Sequence, residues 1–181
     1  MRHKQSSNVY AVKVINKSKI LENDLAAQVK LELRIMYQLN HEYVIKLYNH
    51  FEDNDNFYLI LQLAEGGQLY SKLKKEGYFS ERIAAQYMRE LMYAVEYLHS
   101  LDPPVIHRDI KPENILIDKE GRVKLADFGW SNFFEEERVT YCGTPEYLAP
   151  EMINKAGHDH TIDLWNLGIL LYELLIGSPP F

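Results

Sequence analysis

Two short runs of β-prone residues, Ile115 to Ile117 and Val123 to Leu125, flank the turn Asp118-Lys119-Glu120-Gly121. A hairpin returns the chain to its starting point, so the residues just outside it become neighbours. Here those residues are Asn114 on one side and Asp127 on the other, with Asp109 shortly before the hairpin. An amide oxygen and a carboxylate brought together offer hard oxygen ligands, which suit magnesium, a metal that takes few ligands from protein. Asp109 then remains free to accept a hydroxyl proton and orient it. Lys111, two residues on, supplies a point charge beside a transferring phosphoryl group. An isolated Asp or Asn in such a stretch is ordinarily a turn or cap residue. That reading does not account for the ordered series His107-Arg108-Asp109-Ile110-Lys111-Pro112-Glu113-Asn114, hairpin, Asp127-Phe128-Gly129, Ala149-Pro150-Glu151.

Strand patterns dominate before residue 65 and helical patterns after it. Val9 to Ile15, Val44 to Phe51 and Phe57 to Leu63 read as strands, and Leu25 to Leu39 as a helix carrying Val29, Leu33 and Met36 at helical spacing. Glu52-Asp53-Asn54-Asp55-Asn56 reads as a solvated turn, since it lacks the glycine and distal glutamate of a calcium loop. Beyond Gly66-Gly67, Ser80 is a good N-cap for a long helix with Ile83, Tyr87, Leu91, Ala94, Val95 and Leu98 on one face. Thr161 to Gly177 reads as the closing helix. The expectation is an α+β, two-lobed arrangement: a small lobe over 1–61, a linker over 62–67 and a mainly helical lobe over 68–181.

The formal charge of −6 disfavours nucleic-acid binding, which needs a basic footprint. Lys72-Leu73-Lys74-Lys75 reads as a solvated helix face. The single cysteine, Cys142, excludes an intrachain disulfide and a multi-cysteine zinc site, and a reducing compartment fits. Residues 1–8 carry no visible signal peptide, and Leu164 to Ile176 is too short and too interrupted for a membrane span. A cytoplasmic or nuclear protein without membrane partners is expected.

On these motifs the chain resembles the eukaryotic protein kinase family over nearly its whole length. The resemblance implies a two-lobed kinase fold, ATP and Mg2+ as cofactors and protein substrates. It implies that Lys13, in Tyr10-Ala11-Val12-Lys13, holds the α- and β-phosphates and pairs with Glu32, with Glu22 a rival partner. It makes Gln62-Leu63-Ala64 the adenine-binding hinge, Leu61 the gatekeeper, and Ala11 and Leu116 the residues that sandwich the adenine. Glu113 joins Asn114 and Leu116 among the cofactor-contacting residues, and Asn114 and Asp127 hold the metal. His107, Phe128, Met36 and Leu47 would stack as a hydrophobic spine, and Asp163 would tie down the catalytic loop, capping its helix being the alternative. Lys111 and Thr144 are similar to the serine/threonine branch of the family. Thr140 becomes the activation-segment phosphosite, its phosphate able to pair with Arg108 and order the loop.

Asp127-Phe128-Gly129-Trp130-Ser131 resembles the Aurora kinases, and Arg138-Val139-Thr140 fits their preference for arginine two before the acceptor, which implies autophosphorylation. Asp159 to Gly177 is also Aurora-like, whereas Glu65-Gly66-Gly67 and Thr144-Pro145-Glu146-Tyr147 are generic to kinases and Glu135-Glu136-Glu137 replaces a basic run. Polo-like and calcium/calmodulin-type kinases are the alternatives. The Aurora resemblance implies a mitotic role at spindle, centrosome or chromosome and an activating protein partner. No Gly-x-Gly-x-x-Gly precedes Lys13, and the chain ends at Pro179-Pro180-Phe181, where the family continues into further helices. A partial catalytic domain is therefore expected, with an exposed sheet edge and an exposed apolar face. A pseudokinase-like binding or regulatory module without activity of its own is the alternative.

Overall fold

Val12, Val14 and Ile15 favour extended backbone because their branched Cβ atoms restrict side-chain rotation, and strand β1 (Ala11–Asn16) forms there. The computed structural model describes residues 1, 8–22, 24–129, 131–133, 145–154 and 159–181. β1 runs antiparallel to β3 (Asn56–Leu61), which also pairs with β2 (Leu47–Glu52), so β3 is central in the order β1-β3-β2. The register sets Ala11 opposite Leu61 and Lys13 opposite Leu59. The acidic turn between β2 and β3 is closed by the side chain of Asp53. Asp53 Oδ1 accepts from the N–H groups of Asp55 (2.9 Å) and Asn56 (2.8 Å), and Oδ2 accepts from the Tyr58 hydroxyl at 2.7 Å.

A helix not foreseen, α1 (Lys17–Glu22), follows β1. Asn16 caps it, its Oδ1 accepting from the Lys19 N–H at 3.2 Å. The expected longer helix is α2 (Ala26–Gln38), which buries Glu32, Ile35 and Met36 in its second half.

After Gly66, the two-residue strand β4 (Gly67–Gln68) leads into α3 (Leu69–Glu76) and then α4 (Glu81–His99). Ser80 caps α4 as expected, its Oγ facing the Ile83 N–H at 3.5 Å, and Tyr87, Leu91, Ala94, Val95 and Leu98 are buried. Lys74 and Lys75 are exposed, as a solvated basic face requires, but Lys72 departs from that reading. Its stem is half-buried, and its ammonium donates to the Tyr87 hydroxyl at 2.8 Å and lies over the Tyr87 and Phe79 rings at 5.6 and 6.0 Å.

β5 (Val105–Ile106) pairs with β8 (Asn132–Phe133), so the stretch between them leaves and returns to one place. Within it lie a turn of 3-10 helix (Pro112–Asn114) and the predicted hairpin of β6 (Ile115–Ile117) and β7 (Val123–Leu125). β4 completes a second three-stranded sheet against β6. A short helix α5 (Pro150–Ile153) precedes α6 (Thr161–Ile176). Gly177, with φ +93°, ends α6 by donating its N–H to the Glu173 carbonyl at 2.8 Å.

One apolar core joins the strand-rich and helical parts, running from Ile35, Met36, Leu47 and Leu59 to Leu91, Ile110, Leu125 and Phe128. Segment 43–45 stitches them further: the Leu125 N–H donates to the Tyr43 carbonyl and the Ile45 N–H to the Leu125 carbonyl, each at 2.8 Å. α4 packs along α6, and between them lies an apolar groove of about 930 Å³ lined by Met88, Met92, Leu164, Leu167 and Leu171. Among the described residues no helix is long and apolar enough to cross a membrane.

Candidate active site

Arg108 has a left-handed backbone, φ +67°, which an L-residue adopts only when its surroundings hold it there. Asp163, wholly buried near the start of α6, does so. Its Oδ1 accepts from the Arg108 N–H at 2.8 Å and its Oδ2 from the His107 N–H at 3.0 Å. It therefore holds the backbone from within the protein rather than capping its own helix. A third donor, His99 Nε2 in the last turn of α4, lies 2.8 Å from Oδ2. The His107 ring completes the support: Nδ1 accepts from the Asp109 N–H (3.3 Å), which leaves Nε2–H to donate to the Ala126 carbonyl (3.1 Å).

This scaffold presents Asp109, Lys111 and Asn114 to one another. The Asn114 amide nitrogen donates to the Asp109 carbonyl at 2.8 Å and to Asp109 Oδ2 at 2.7 Å. Lys111 Nζ reaches the same Oδ2 at 3.0 Å. Asp109 Oδ1 is buried and, among the described residues, has no hydrogen-bond partner. A carboxylate oxygen kept out of water without a donor is suited to accept a proton from an incoming group.

The hairpin closes as expected. The Ala126 N–H donates to the Asn114 carbonyl at 2.9 Å, which sets Asp127 next to the Asp109 group. Asp127 has φ +62°, and its Oδ1 meets Lys13 Nζ at 3.0 Å while the same ammonium meets Glu32 Oε1 at 2.7 Å. Glu32, not its rival Glu22, is thus the partner of Lys13, and it is a buried residue. Burial alone penalises the Lys13 ammonium, but the Glu32 and Asp127 carboxylates outweigh it and hold its pKa above the ordinary value. Burial likewise opposes ionisation of Asp127; Lys13, together with the Gly129 N–H, overcomes it and holds this carboxyl below the usual range.

The linker lies between β3 and β4. Its Gln62 N–H donates to the Lys46 carbonyl at 2.8 Å, and the Gly67 N–H faces the Ala64 carbonyl at 3.3 Å. Leu63 is exposed, and among the described residues no backbone hydrogen bond engages it. Ala11 and Leu116 are half-buried; Ala11 pairs across β1 and β3 with Leu61, and Leu116 across β6 with Gln68. The Glu113 carbonyl accepts from the Gln68 amide at 3.1 Å. His107 meets Phe128 edge to face at 5.0 Å, and all four proposed spine residues are buried, with Met36, Leu47 and Phe128 in the one core.

Thr140 and Thr144 lie outside the described residues, as does the proposed pairing of Thr140 with Arg108. Three contributors escaped the sequence reading. His99 shows no signal beyond its place in a helix's last turn. Gln28, whose side-chain amide donates to the Gly129 carbonyl, reads as one more polar residue on α2. Ser131, whose Oγ donates to the His107 carbonyl at 3.3 Å, ends the Aurora-like run from Asp127, but that run gives no sign of this bond.

The described donor set fits a nucleotide with magnesium. Lys13 would supply a cation, and Asp127 and the Asn114 amide oxygen, whose nitrogen is engaged by Asp109, would supply hard ligands. The protein kinase domain family matches residues 1–181, so the chain belongs to that family. It is 47% identical to the serine/threonine-protein kinase Aurora-1 of Arabidopsis thaliana, over 99% of this chain and 60% of that protein. It is 43% identical to an Aurora kinase of Schizosaccharomyces pombe, over 99% of this chain and 50% of that protein. A cAMP-dependent protein kinase, catalytic subunit-like, of Caenorhabditis briggsae is 41% identical over 99% of this chain and 46% of its own length. The chain thus spans about half the length of the curated relatives it matches.

Proposed function

We propose that this chain carries the catalytic machinery of an Aurora-like protein kinase that transfers the γ-phosphoryl group of ATP to serine or threonine of protein substrates. The observation that carries the reading is the placement of Lys13 between Glu32 and Asp127, together with an Asp109 that, among the described residues, keeps one buried oxygen unpartnered. Bare ion pairing does not require that combination; phosphoryl transfer does.

In this reading the strand-rich lobe is residues 1–61, the hinge 62–67 and the helical lobe 68–181. The hinge backbone at Gln62, Leu63 and Ala64 bonds the adenine, Ala11 and Leu116 cover its faces, and Glu113 lies at the sugar side. Lys13 holds the α- and β-phosphates and is itself oriented by Glu32. Asp127 and Asn114 hold magnesium, which when bound neutralises phosphate charge. Asp109 Oδ1 accepts the hydroxyl proton of the substrate, and Lys111 moves from Asp109 toward the transferring group. Phosphorylation of Thr140, paired with Arg108, orders the activation segment, and Thr144 favours serine/threonine acceptors. An activating protein partner and a cytoplasmic or nuclear site of action, at spindle, centrosome or chromosome, follow from the Aurora likeness.

The test uses the complete gene product with ATP, Mg2+ and matched peptides carrying serine, threonine or tyrosine, each with arginine two before the acceptor. Transfer to serine and threonine is expected, lowered by Thr140→Ala. Transfer to tyrosine alone overturns the acceptor assignment. ATP binding without transfer to any acceptor overturns the enzyme in favour of a regulatory module.

A further inference from the structure

Helix α2 carries Glu32, the residue that orients Lys13, yet little packing holds the half of the helix that precedes it. Ala26, Ala27 and Lys30 are exposed, and the buried residues Glu32, Ile35 and Met36 all lie in the second half. Its first turn has no acidic residue to complement the helix dipole, and Leu25 at the N-cap makes no side-chain cap. Gln28, Val29 and Leu31 are only half-buried, and an end so lightly packed and without a side-chain cap frays, which here withdraws Glu32 from Lys13.

One polar tie acts against this. Gln28 stands one helical turn before Glu32, on the same face, because residues four apart on a helix are stacked. Its side-chain amide donates to the Gly129 carbonyl. Gly129 follows Asp127 and Phe128, and its own N–H points to Asp127 Oδ1 at 3.4 Å. A Cβ on Gly129 would lie 3.3 Å from Asp127 Oδ1 and 3.9 Å from Glu32 Oε2, so this backbone sits against both carboxylates. Lys13 joins the same two carboxylates from β1.

Beyond the core that Met36 shares with Phe128, two polar ties one turn apart attach the helix to the Asp127–Gly129 turn among the described residues. The first, Glu32 through Lys13 to Asp127, is ionic. The second, Gln28 to Gly129, is neutral and direct. A single attachment leaves a helix free to pivot about it; two attachments on one face fix its rotation and its depth. We propose that Gln28 is a positioning residue that locks α2 in register with the Asp127–Gly129 turn, and that without it Glu32 loses its hold on Lys13. This deepens the kinase reading, on which its effect on turnover rests; the effect on α2 itself does not depend on that reading.

The experiment compares Gln28→Ala and the isosteric Gln28→Glu in the complete protein, with Lys30→Ala as an exposed control on the same helix. Gln28→Glu puts a carboxylate oxygen against the Gly129 carbonyl and beside two carboxylates, so it removes the donor without changing volume. Backbone hydrogen exchange over residues 26–32 is expected to quicken roughly threefold to tenfold in both variants, the size of one net hydrogen bond, with α4 unchanged. kcat/KM is expected to fall by a similar factor, and Gln28→Ala combined with Glu32→Gln to cost less than the two separate losses together. If one variant fails to fold, the other is read. Faster exchange in a protein without kinase activity upholds the lock and rejects only its catalytic consequence. Exchange over 26–32 and kinetics matching Lys30→Ala overturn the proposal.

Discussion

Replacing Asp163 by asparagine removes one charge and one acceptor from the point where α6 grips the catalytic loop, at constant volume. Asp163 accepts from the Arg108 N–H, the His107 N–H and His99 Nε2. An asparagine keeps a single acceptor oxygen. Its better orientation leaves that oxygen toward His107 and His99, and then its amino group faces the Arg108 N–H, donor against donor. A hydrogen bond to a charged group is worth about 1.5–3 kcal/mol, and a buried donor left unpaired costs about 1–3 kcal/mol. The loss is therefore about 3–5 kcal/mol, a large share of the ~5–15 kcal/mol that holds a folded domain. Thermal denaturation followed by circular dichroism should place the Tm lower by roughly 6–20 °C. Arg108 is then released from its φ of +67°, and Asp109 moves with it, so kcat should fall at least tenfold in the molecules that remain folded. His99→Ala should reproduce a smaller part of both effects, about 1–2 kcal/mol, and His99→Gln, which keeps a donor, should restore most of it. A Tm within 2 °C of the parent (about the experimental scatter) together with unchanged kcat in Asp163→Asn would refute the anchoring argument.

Other consequences follow from the same geometry. Gly66→Ala sets a Cβ 2.9 Å from Ile117 atoms, side chain and carbonyl alike; the strand carrying Leu116 must shift, and the KM for ATP should rise by about tenfold, the equivalent of ~1.4 kcal/mol, in steady-state kinetics. The Lys13 and Asp127 pair gives a pH signature. The Asp127 contribution is present above its unfolded pKa of 3.8 and lost as pH falls through its lower folded value. The Lys13 contribution is present below 10.5 and lost as pH rises through its higher folded value. The Tm difference between the parent and Lys13→Met should then stay flat from roughly pH 5 to pH 9 and shrink only outside that range. Glu173, buried and near Glu113 and Glu146, has its carboxyl pushed upward, so the folded state keeps this proton longer and loses stability as pH rises through the window above 4.5. Glu173→Gln, which still accepts from the Tyr147 hydroxyl, should raise Tm by a few degrees at neutral pH and lose that advantage near pH 4.5.

The parts legible in the sequence are those where chemistry or period acts locally. Asn114 and Asp127 stood out because a hairpin between them needs only β-prone runs and a turn; the structure forms that hairpin, bonds Asn114 to Asp109 and sets Ala126, the residue before Asp127, against the Asn114 carbonyl. α4 was legible because its apolar residues repeat at helical spacing behind a serine cap. α1 was missed because six residues carry too little periodicity, although Asn16 was a usable cap signal. β4, β5 and β8 have two residues each, which leaves no alternation to read. Lys72 looked solvated because its aromatic neighbours Phe79 and Tyr87 come from the next turn and helix. His99 and Gln28 depend on which distant carbonyl or carboxylate the fold sets before them, and no local pattern encodes that.

Phosphoryl transfer itself is the most direct test. The complete protein, given ATP labelled in the γ-position, Mg2+ and a serine peptide, should transfer label, and Asp127→Asn, assayed well below a Tm lowered by loss of the ion pair with Lys13, should do so at least a hundredfold more slowly, the order of loss expected when a charge that stabilises the transferring group is removed. Equal transfer by the two proteins would contradict the metal-holding role of Asp127 and, with it, the account of this site.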